Sequence, residues 1–219
     1  MEQSLYENHL AILKEELLVA LGCTEPIAIA YAGAKARKLL GQMPQDCQVY
    51  CSGNIIKNVK GVIVPNSGGM RGMDVATLGI VGGDPEQELA VLESVTDQDI
   101  QQTQALLKAG FCQCHLVEDV DNLYVRVEVK GGGHSAVVEI QEHHNHITYL
   151  EKDGEVIFDG RPGPKSDQEN TGPDKMLLNM KNILEFAEAV KLDDVREILQ
   201  RQIDYNCAIS AEGLKGNYG

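Results

Sequence analysis

A cysteine immediately before a predicted helix start is the residue of this sequence best placed to do chemistry. The stretch Gly22 to Arg37 reads GCTEPIAIAYAGAKAR. Thr24 is a favourable N-cap residue, Glu25 adds an acid to the first turn, and Pro26 is tolerated there. A helix is therefore predicted to begin at Thr24. Because the free amides of a first turn and the helix dipole favour anions, Cys23 is expected to have a lowered pKa and to act as a thiolate ligand or nucleophile.

The sequence leaves simpler interpretations of these two residues open. A lone cysteine at a helix turn is compatible with a buried structural thiol, and Cys23 taken alone fits that description. Glu25 is a candidate catalytic base, although capping by itself also favours an acid in a first turn. The other cysteines lie on predicted strands or near the end of the sequence, where small buried hydrophobes are more common than metal ligands. They are Cys47, Cys51, Cys112, Cys114 and Cys207.

Polar residues set among glycines in the segment 52–69 form a second candidate group. This segment reads SGNIIKNVKGVIVPNSGG and offers groups that could hold a carboxylate and an amino group. The candidates for binding a zwitterionic substrate are Ser52, Asn54, Lys57, Asn58, Asn66 and Ser67. Each of them is equally compatible with a turn or capping role. Arg71 is a further candidate, because a guanidinium can pair bidentately with a carboxylate, and a surface ion pair is the alternative.

Histidines occur in two places where proton transfer is conceivable. His134 follows three glycines, so backbone can approach a ligand there, and its imidazole could act as acid or base near neutral pH. Its neighbour Ser135 is a candidate substrate-binding residue. The segment 142–147, EHHNHI, holds three more histidines, but on a strand only His144 and His146 would share a face. Two such ligands are too few for a metal site.

Hydrophobic periodicity predicts the elements that position these residues. The small-residue helix follows an amphipathic helix and ends before Gly41, a natural residue for a helix end. Further helices are predicted at 5–21, 73–81, 84–95, 96–109, 176–189 and 193–202. Strands are predicted at 46–51, within 52–69, and at 111–118, 123–130, 135–141, 146–150 and 156–158.

The order of these elements predicts an α+β fold. It consists of a helical layer built around the small-residue helix and an antiparallel sheet of about four strands with helices. Residues 1–43, as a helical hairpin, and 174–219 are expected to form part of a helical domain. Residues 44–158 form the α+β domain, and the Gly- and Pro-rich stretch 159–173 is the predicted linker.

Composition excludes several classes of function. The chain has 219 residues, of which 43% are hydrophobic and 24% charged, as in ordinary globular proteins. Its net charge of −14 argues against nucleic acids and anionic membranes as partners. No apolar run approaches the roughly 20 residues that span a bilayer. The six scattered cysteines and the polar first ten residues predict a soluble cytoplasmic protein with reduced thiols.

Four segments together resemble the L-cysteine desulfidase family. They are GCTEPIAIAYAGAKA at 22–36, SGNIIKNVKGVIVPNSGG at 52–69, GHSAVVEI at 133–140 and AEGLKGNYG at 211–219. That family is related to the alpha chains of iron–sulfur L-serine dehydratases. The resemblance covers the whole sequence but only about the first half of a typical family member. The segment HHNHI departs from the family pattern H-T-N-I, and His144 or His143 is the histidine expected to align.

The resemblance implies a lyase that converts a small amino acid to pyruvate and ammonia, with sulfide from cysteine. It also implies a 4Fe-4S cluster held by three cysteines, one iron being left free to bind substrate. Cys23 matches the first ligand, and the other two are expected in a second half that this sequence lacks. The chain is therefore predicted to be truncated, inactive and without cluster when alone. The missing half or a homodimer partner is expected to cover the small-residue helix.

The sequence leaves the substrate and the activity open. It does not indicate whether L-serine, L-cysteine or another β-substituted amino acid is preferred, because the groups that contact the leaving atom could lie in the absent half. The alternative function is a small amino-acid-binding or structural domain without catalytic activity.

Overall fold

The computed structural model describes residues 1–161 and 172–216, which form two compact units. One unit comprises Met1–Leu18 and Lys165–Gly219, and the other comprises Val19–Pro164. This division differs from the predicted one, because the small-residue helix lies in the same unit as the sheet. The predicted linker 159–173 lies largely outside the described residues.

A six-stranded sheet forms one layer of the unit 19–164, and the predicted α+β class is confirmed. The strands are β1 (Asp46–Ser52), β2 (Cys112–Val117), β3 (Tyr124–Gly131), β4 (His134–Gln141), β5 (Ile147–Lys152) and β6 (Glu155–Asp159). Their order is β2-β1-β3-β4-β5-β6. The sheet is larger than the predicted four strands, and it is mixed because β1 and β2 are parallel. All its other neighbouring strands are antiparallel.

The inner face of the sheet follows the alternation of the sequence. Val125, Val127 and Val129 of β3 are fully buried, and the residues between them are partly exposed. Cys47 and Cys51 of β1 face the same core. Burial strongly raises the pKa of the Cys51 thiol. These two cysteines are therefore small core residues, as expected from their strand positions.

The helices of this unit are α2 (Thr24–Leu40), α3 (Gly53–Lys60), α4 (Val75–Gly82) and α5 (Asp97–Lys108), with a 3₁₀ helix at Pro85–Ala90. α2 lies on β3 and β4 of the sheet, α4 packs on α2, and α5 packs on α4. The strands predicted after Ser52 are wrong, because Ser52 Oγ accepts a hydrogen bond from the Ile55 amide and caps α3. Ile55 and Val59, one helical turn apart, are both buried. The helix predicted at 84–95 is reduced to the 3₁₀ turn, within which Glu88 has a φ of 45°.

The backbones of α2 and α4 touch directly where the helices cross. A Cβ added to Gly33 would lie 2.4 Å from the carbonyl oxygen of Ala76. A Cβ added to Gly79 would lie 2.0 Å from the carbonyl oxygen of Ala30. Only glycine permits this approach, and the alanines of α2 keep that helix thin.

The other unit is helical. It contains α1 (Gln3–Glu16), a 3₁₀ turn (Lys175–Leu177), α6 (Met180–Ala189) and α7 (Leu192–Gly213). Phe186 of α6 is buried against Tyr6 and His9 of α1, with ring centroids 5.5 and 5.2 Å apart. α7 continues well beyond the predicted residue 202. No helix in the described part of the chain has the length and apolarity needed to cross a membrane.

Candidate functional site

The candidate site is built on the first turn of α2. The helix begins at Thr24, as predicted, but Cys23 rather than Thr24 occupies the N-cap position. Its side chain caps no backbone amide and instead donates from Sγ to Glu25 Oε2 at 3.0 Å. Gly22 has a φ of +85°, and a Cβ there would lie 2.8 Å from Pro65 Cγ. A glycine is therefore needed to bring Cys23, which is half-buried, beside the loop that follows α3.

The proton between Cys23 and Glu25 resides on sulfur. Burial, and then the hydrogen bond to the Glu25 carboxylate, raise the pKa of Cys23. The expectation of a lowered pKa at this helix start is therefore wrong, because desolvation and a neighbouring negative charge outweigh the favourable helix terminus. Conversely, the hydrogen bond from Cys23 lowers the pKa of Glu25 despite its partial burial. A protonated thiol and an ionised carboxylate thus lie in contact.

Two further side chains join this pair from distant parts of the sequence. Asn58 of α3 donates from Nδ2 to Glu25 Oε1 at 3.0 Å. His144, in the turn between β4 and β5, places its Nε2 3.2 Å from Thr24 Oγ1. Burial lowers the pKa of His144, although the nearby Glu25 charge opposes this. The site therefore combines a thiol, an ionised carboxylate, an amide and an imidazole that is neutral at neutral pH.

Two of the serines predicted to bind substrate serve local structure. Ser52 Oγ donates to the carbonyl of Asn122 at 2.6 Å besides capping α3. Ser67 is buried, donates to the carbonyl of Val64 at 2.6 Å and accepts from the Met70 amide at 2.9 Å. Both hydroxyls thus have intramolecular partners, which is the turn and capping role left open by the sequence.

The remaining candidates of this group are spread over one helix and one loop. Asn66 has a φ of 55° and donates to two backbone carbonyls after the 3₁₀ helix, at 3.2 and 3.1 Å. Asn54 and Lys57 are exposed on α3. Arg71 is exposed and donates to the carbonyl of Gly61 at 3.4 Å. Among the predicted substrate-binding residues, only Asn58 has a described contact with the Cys23–Glu25 pair.

His134 and Ser135 lie at the other end of β4 from His144. His134 is exposed, and its Nδ1 lies 2.8 Å from Asp153 Oδ2, while the Ser135 amide donates to Asp153 Oδ1 at 2.8 Å. β4 has eight residues and the turn with His144 follows its last one, so these ends are roughly 23 Å apart at about 3.3 Å per residue. The geometry does not bring His134 to Cys23, and its catalytic role stays a prediction.

His144 was not among the predicted catalytic or substrate-binding residues, although the resemblance pointed to it or to His143 as the histidine that aligns with the family pattern. Treating 142–147 as a strand placed His144 and His146 on one face. The structure instead has a turn there, with the His146 amide donating to the carbonyl of His143 at 3.0 Å. His146 then lies 3.2 Å from Glu142, whose φ is 65°. The sequence signal that could have pointed to His144 is its position in the short connection between two predicted strands.

The positions of the thiols decide whether the described chain can hold an iron–sulfur cluster. A cluster with one free iron needs three thiolates, and Cys23 offers one partly exposed donor. Within the described residues, the one group of three potential ligands whose donor atoms lie within 4.8 Å of one another is Asp74, Cys112 and Cys114. Cys23 is not a member of that group. The described chain therefore fits one ligand position of a cluster and does not complete the set.

Comparison with known proteins gives consistent matches over the whole chain. It is 44% identical over 216 residues to a protein of Lachnoclostridium phytofermentans, covering 98% of the chain and 51% of that protein. It is 40% identical over 220 residues to one of Treponema denticola, covering 100% and 51%. A protein of Finegoldia magna is 44% identical over 216 residues, covering 97% and 51%. All three are named UPF0597 protein.

The chain is homologous to UPF0597 proteins throughout. It spans about half the length of these curated relatives. No family model and no solved structure matches it. The shared name states no activity, so the similarity to cysteine desulfidases seen in the sequence stays a prediction.

Proposed function

We propose that this chain is one part of an iron–sulfur-dependent lyase acting on a small amino acid, L-cysteine or L-serine. The products would be pyruvate and ammonia, with sulfide from cysteine. The observation that supports this best is the convergence of Cys23, Glu25 and His144 at the first turn of α2. The four sequence segments that resemble cysteine desulfidases add to it. Polypeptide corresponding to the other half of the UPF0597 relatives would supply the missing ligands.

Cys23 would be one ligand of the cluster. A thiol must lose its proton to bind iron, and Glu25 lies 3.0 Å from Sγ in its ionised form, ready to accept that proton. Asn58 donates to the other carboxylate oxygen and fixes its orientation. When bound, an iron–sulfur cluster with a free iron supplies a Lewis acid that polarises a carboxylate or leaving group. Because the pKa of Cys23 is raised, the thiol stays protonated at neutral pH until a cation stabilises the thiolate.

His144 is assigned to proton transfer with the substrate. Elimination requires a base to remove the proton on Cα and an acid to protonate the leaving group. Because its pKa is lowered by burial, His144 is in the neutral form that can accept a proton at neutral pH. Thr24 Oγ1, 3.2 Å from Nε2, holds the ring in position. Once Glu25 has accepted the Cys23 proton it can no longer act as the base, which leaves His144 as the acceptor.

The test is anaerobic reconstitution of the chain together with the polypeptide that matches the other half of its relatives. Iron and sulfide content would be measured, and pyruvate would be assayed with L-cysteine and with L-serine. Cys23→Ser is expected to lose both iron and pyruvate formation while the circular dichroism spectrum stays unchanged. Cys207→Ser changes an exposed thiol on α7 and is the matched control, expected to retain both.

Two outcomes would count against the proposal. Full iron content in Cys23→Ser would remove the ligand assignment. Saturable binding of L-cysteine or L-serine by iron-free protein, without pyruvate under any reconstitution, would favour a binding domain instead. His144→Gln should assemble the cluster normally and lose pyruvate formation, which separates proton transfer from cluster binding.

A further inference from the structure

Three metal-binding side chains converge at the edge of the sheet, in a place that the lyase proposal does not use. They are Asp74, immediately before α4, and Cys112 and Cys114 on β2. Their ligand atoms all lie within 4.8 Å of one another, and Cys114 Sγ is 3.7 Å from Asp74 Oδ1. We propose that these three residues bind one zinc ion, with water as the fourth ligand.

The distances suit tetrahedral zinc. Zinc–sulfur bonds of about 2.3 Å and zinc–oxygen bonds of about 2.0 Å place two sulfur ligands about 3.8 Å apart, and sulfur and oxygen ligands about 3.5 Å apart. The observed separation of 3.7 Å between Cys114 and Asp74 lies close to the second value. Cys112 and Cys114 are two residues apart on one strand, so their side chains project from the same face. The largest separation among the three ligand atoms is at most 4.8 Å, compared with about 3.5–3.8 Å around bound zinc.

The Asp74 carboxylate is available for a ligand. It occupies the N-cap position of α4 but makes no capping hydrogen bond. Within 1–161 and 172–216, no Lys, Arg or His forms an ion pair with it. Its described side-chain partner is the Cys114 thiol. An exposed carboxylate that neither caps its helix nor pairs with a base is free to coordinate a cation.

Burial and neighbouring groups raise the pKa of both thiols, and a bound cation would favour their thiolate forms. The hydrogen bond from Cys114 lowers the pKa of Cys112, but Cys47 and burial outweigh it and raise the value to about 12. The pKa of Cys114 is raised by its hydrogen bond to Cys112, by burial and by the Asp74 charge. Two thiolates and a carboxylate this close would repel one another, and a divalent cation turns that repulsion into attraction.

A buried hydroxyl next to the site also favours the thiolate. Thr77 of α4 is fully buried, and its Oγ1 has no partner at normal hydrogen-bond distance within the described residues. It lies near enough to Cys112 to lower the pKa of that thiol. Buried hydroxyls without a partner are uncommon, because a desolvated donor that makes no hydrogen bond destabilises the fold. Thr77 is thus placed to donate to Cys112 once that residue is a metal-bound thiolate.

The ligand types and exposure indicate which metal binds. Two thiolates select zinc or another soft cation over magnesium and calcium, which prefer oxygen ligands. Asp74 and Cys114 are exposed and Cys112 is half-buried, so solvent reaches the site. Three protein ligands with solvent access leave one position open to water, unlike a closed structural site with four protein ligands.

Cobalt(II) is the spectroscopic probe of this site. The reduced chain, kept anaerobic, would be titrated with CoCl2 alone and then with ZnCl2. One equivalent of cobalt is expected to give thiolate charge-transfer absorption and tetrahedral d–d bands, both removed by zinc. Cys112→Ser and Cys114→Ser are each expected to reduce the charge-transfer absorption and weaken binding. Asp74→Asn should weaken cobalt binding by about 10-fold or more while keeping the thiolate bands.

Matched thiol variants complete the test. Cys207→Ser and Cys23→Ser should leave the cobalt spectrum unchanged, and the Cys23 variant also separates this site from the proposed cluster ligand. Circular dichroism verifies that each variant is folded, and Asp74→Asn, at an exposed position, keeps the test informative if a cysteine variant unfolds. The proposal is overturned if reduced, folded chain gives no tetrahedral cobalt spectrum. It is equally overturned if Cys114→Ser leaves the charge-transfer absorption unchanged and Asp74→Asn leaves the cobalt affinity unchanged, or if the spectrum disappears in Cys23→Ser.

Discussion

Because α2 and α4 cross there, Gly79 is the described glycine of the unit 19–164 at which an added Cβ would make the shortest contact. In Gly79→Ala, the new methyl group would lie 2.0 Å from the carbonyl oxygen of Ala30, whereas side-chain carbons essentially never approach within 3.0 Å. The obstacle is backbone, so no side chain can rotate away. The helices must separate by about 1 Å or more, which loosens the packing of α2 over the sheet.

The expected loss of stability follows from two opposing terms. Overpacking of a core usually costs about 1–3 kcal/mol. A methyl group that meets a backbone carbonyl should cost an amount near the upper end of this range, because the backbone cannot rotate away. Alanine is favoured over glycine inside a helix by about 1 kcal/mol, which offsets part of that cost. The net destabilisation of Gly79→Ala is therefore about 2 kcal/mol. With a urea m-value of about 2 kcal/mol/M, the unfolding midpoint should fall by about 1 M.

Urea unfolding followed by circular dichroism measures this change. Gly61→Ala is the matched control, because Gly61 follows α3 with a φ of −90° and its added Cβ would meet nothing within 4 Å. That variant should keep or slightly raise the midpoint, by the equivalent of about 0.4–1 kcal/mol. Equal midpoints for Gly79→Ala and Gly61→Ala would refute the direct backbone contact.

Three further predictions concern charge and capping. Glu25→Gln removes a carboxylate that raises the pKa of Cys23, so alkylation of Cys23 by iodoacetamide should begin at lower pH; an unchanged pH profile would contradict the contact. Thr96→Ala breaks the capping box of α5 and should cost about 1 kcal/mol in urea unfolding, whereas Thr96→Ser should cost much less. Burial lowers the pKa of His144 in the folded state. The contribution of neutral His144 to folding stability is therefore fully present above its unfolded pKa of about 6.5, and it is lost as pH falls through the folded pKa. Stability measured across this window should decline less in His144→Gln, and an identical slope would show that another group titrates.

The sequence predicted most strands because their faces alternate. Val125, Val127 and Val129 are separated by polar residues, and the structure buries all three. The same criterion failed for the segment after Ser52, where β-branched residues between glycines resembled strands. Two features determine the helix that forms there. Ser52 caps its first turn, and Ile55 and Val59 are buried by tertiary packing, which local propensity does not reveal.

The candidate site was predictable only where its residues are neighbours in sequence. Cys23 and Glu25 are two positions apart, so their contact follows from the first turn of one helix. Asn58 and His144 reach the same turn from 33 and 120 positions away along the sequence, through the packing of α3 and the β4–β5 turn. The sign of the pKa shift of Cys23 was missed for a related reason, since it depends on burial, which sequence reveals only in outline.

The crossing at Gly33 and Gly79 also limits how the unit can move. A contact made by main chain alone has no rotamers to exchange, so small displacements cannot be absorbed by repacking side chains. Cys23 lies at the beginning of α2 and Asp74 at the beginning of α4. A shift of either helix start must therefore be passed to the other helix, which couples the position of Cys23 to that of Asp74.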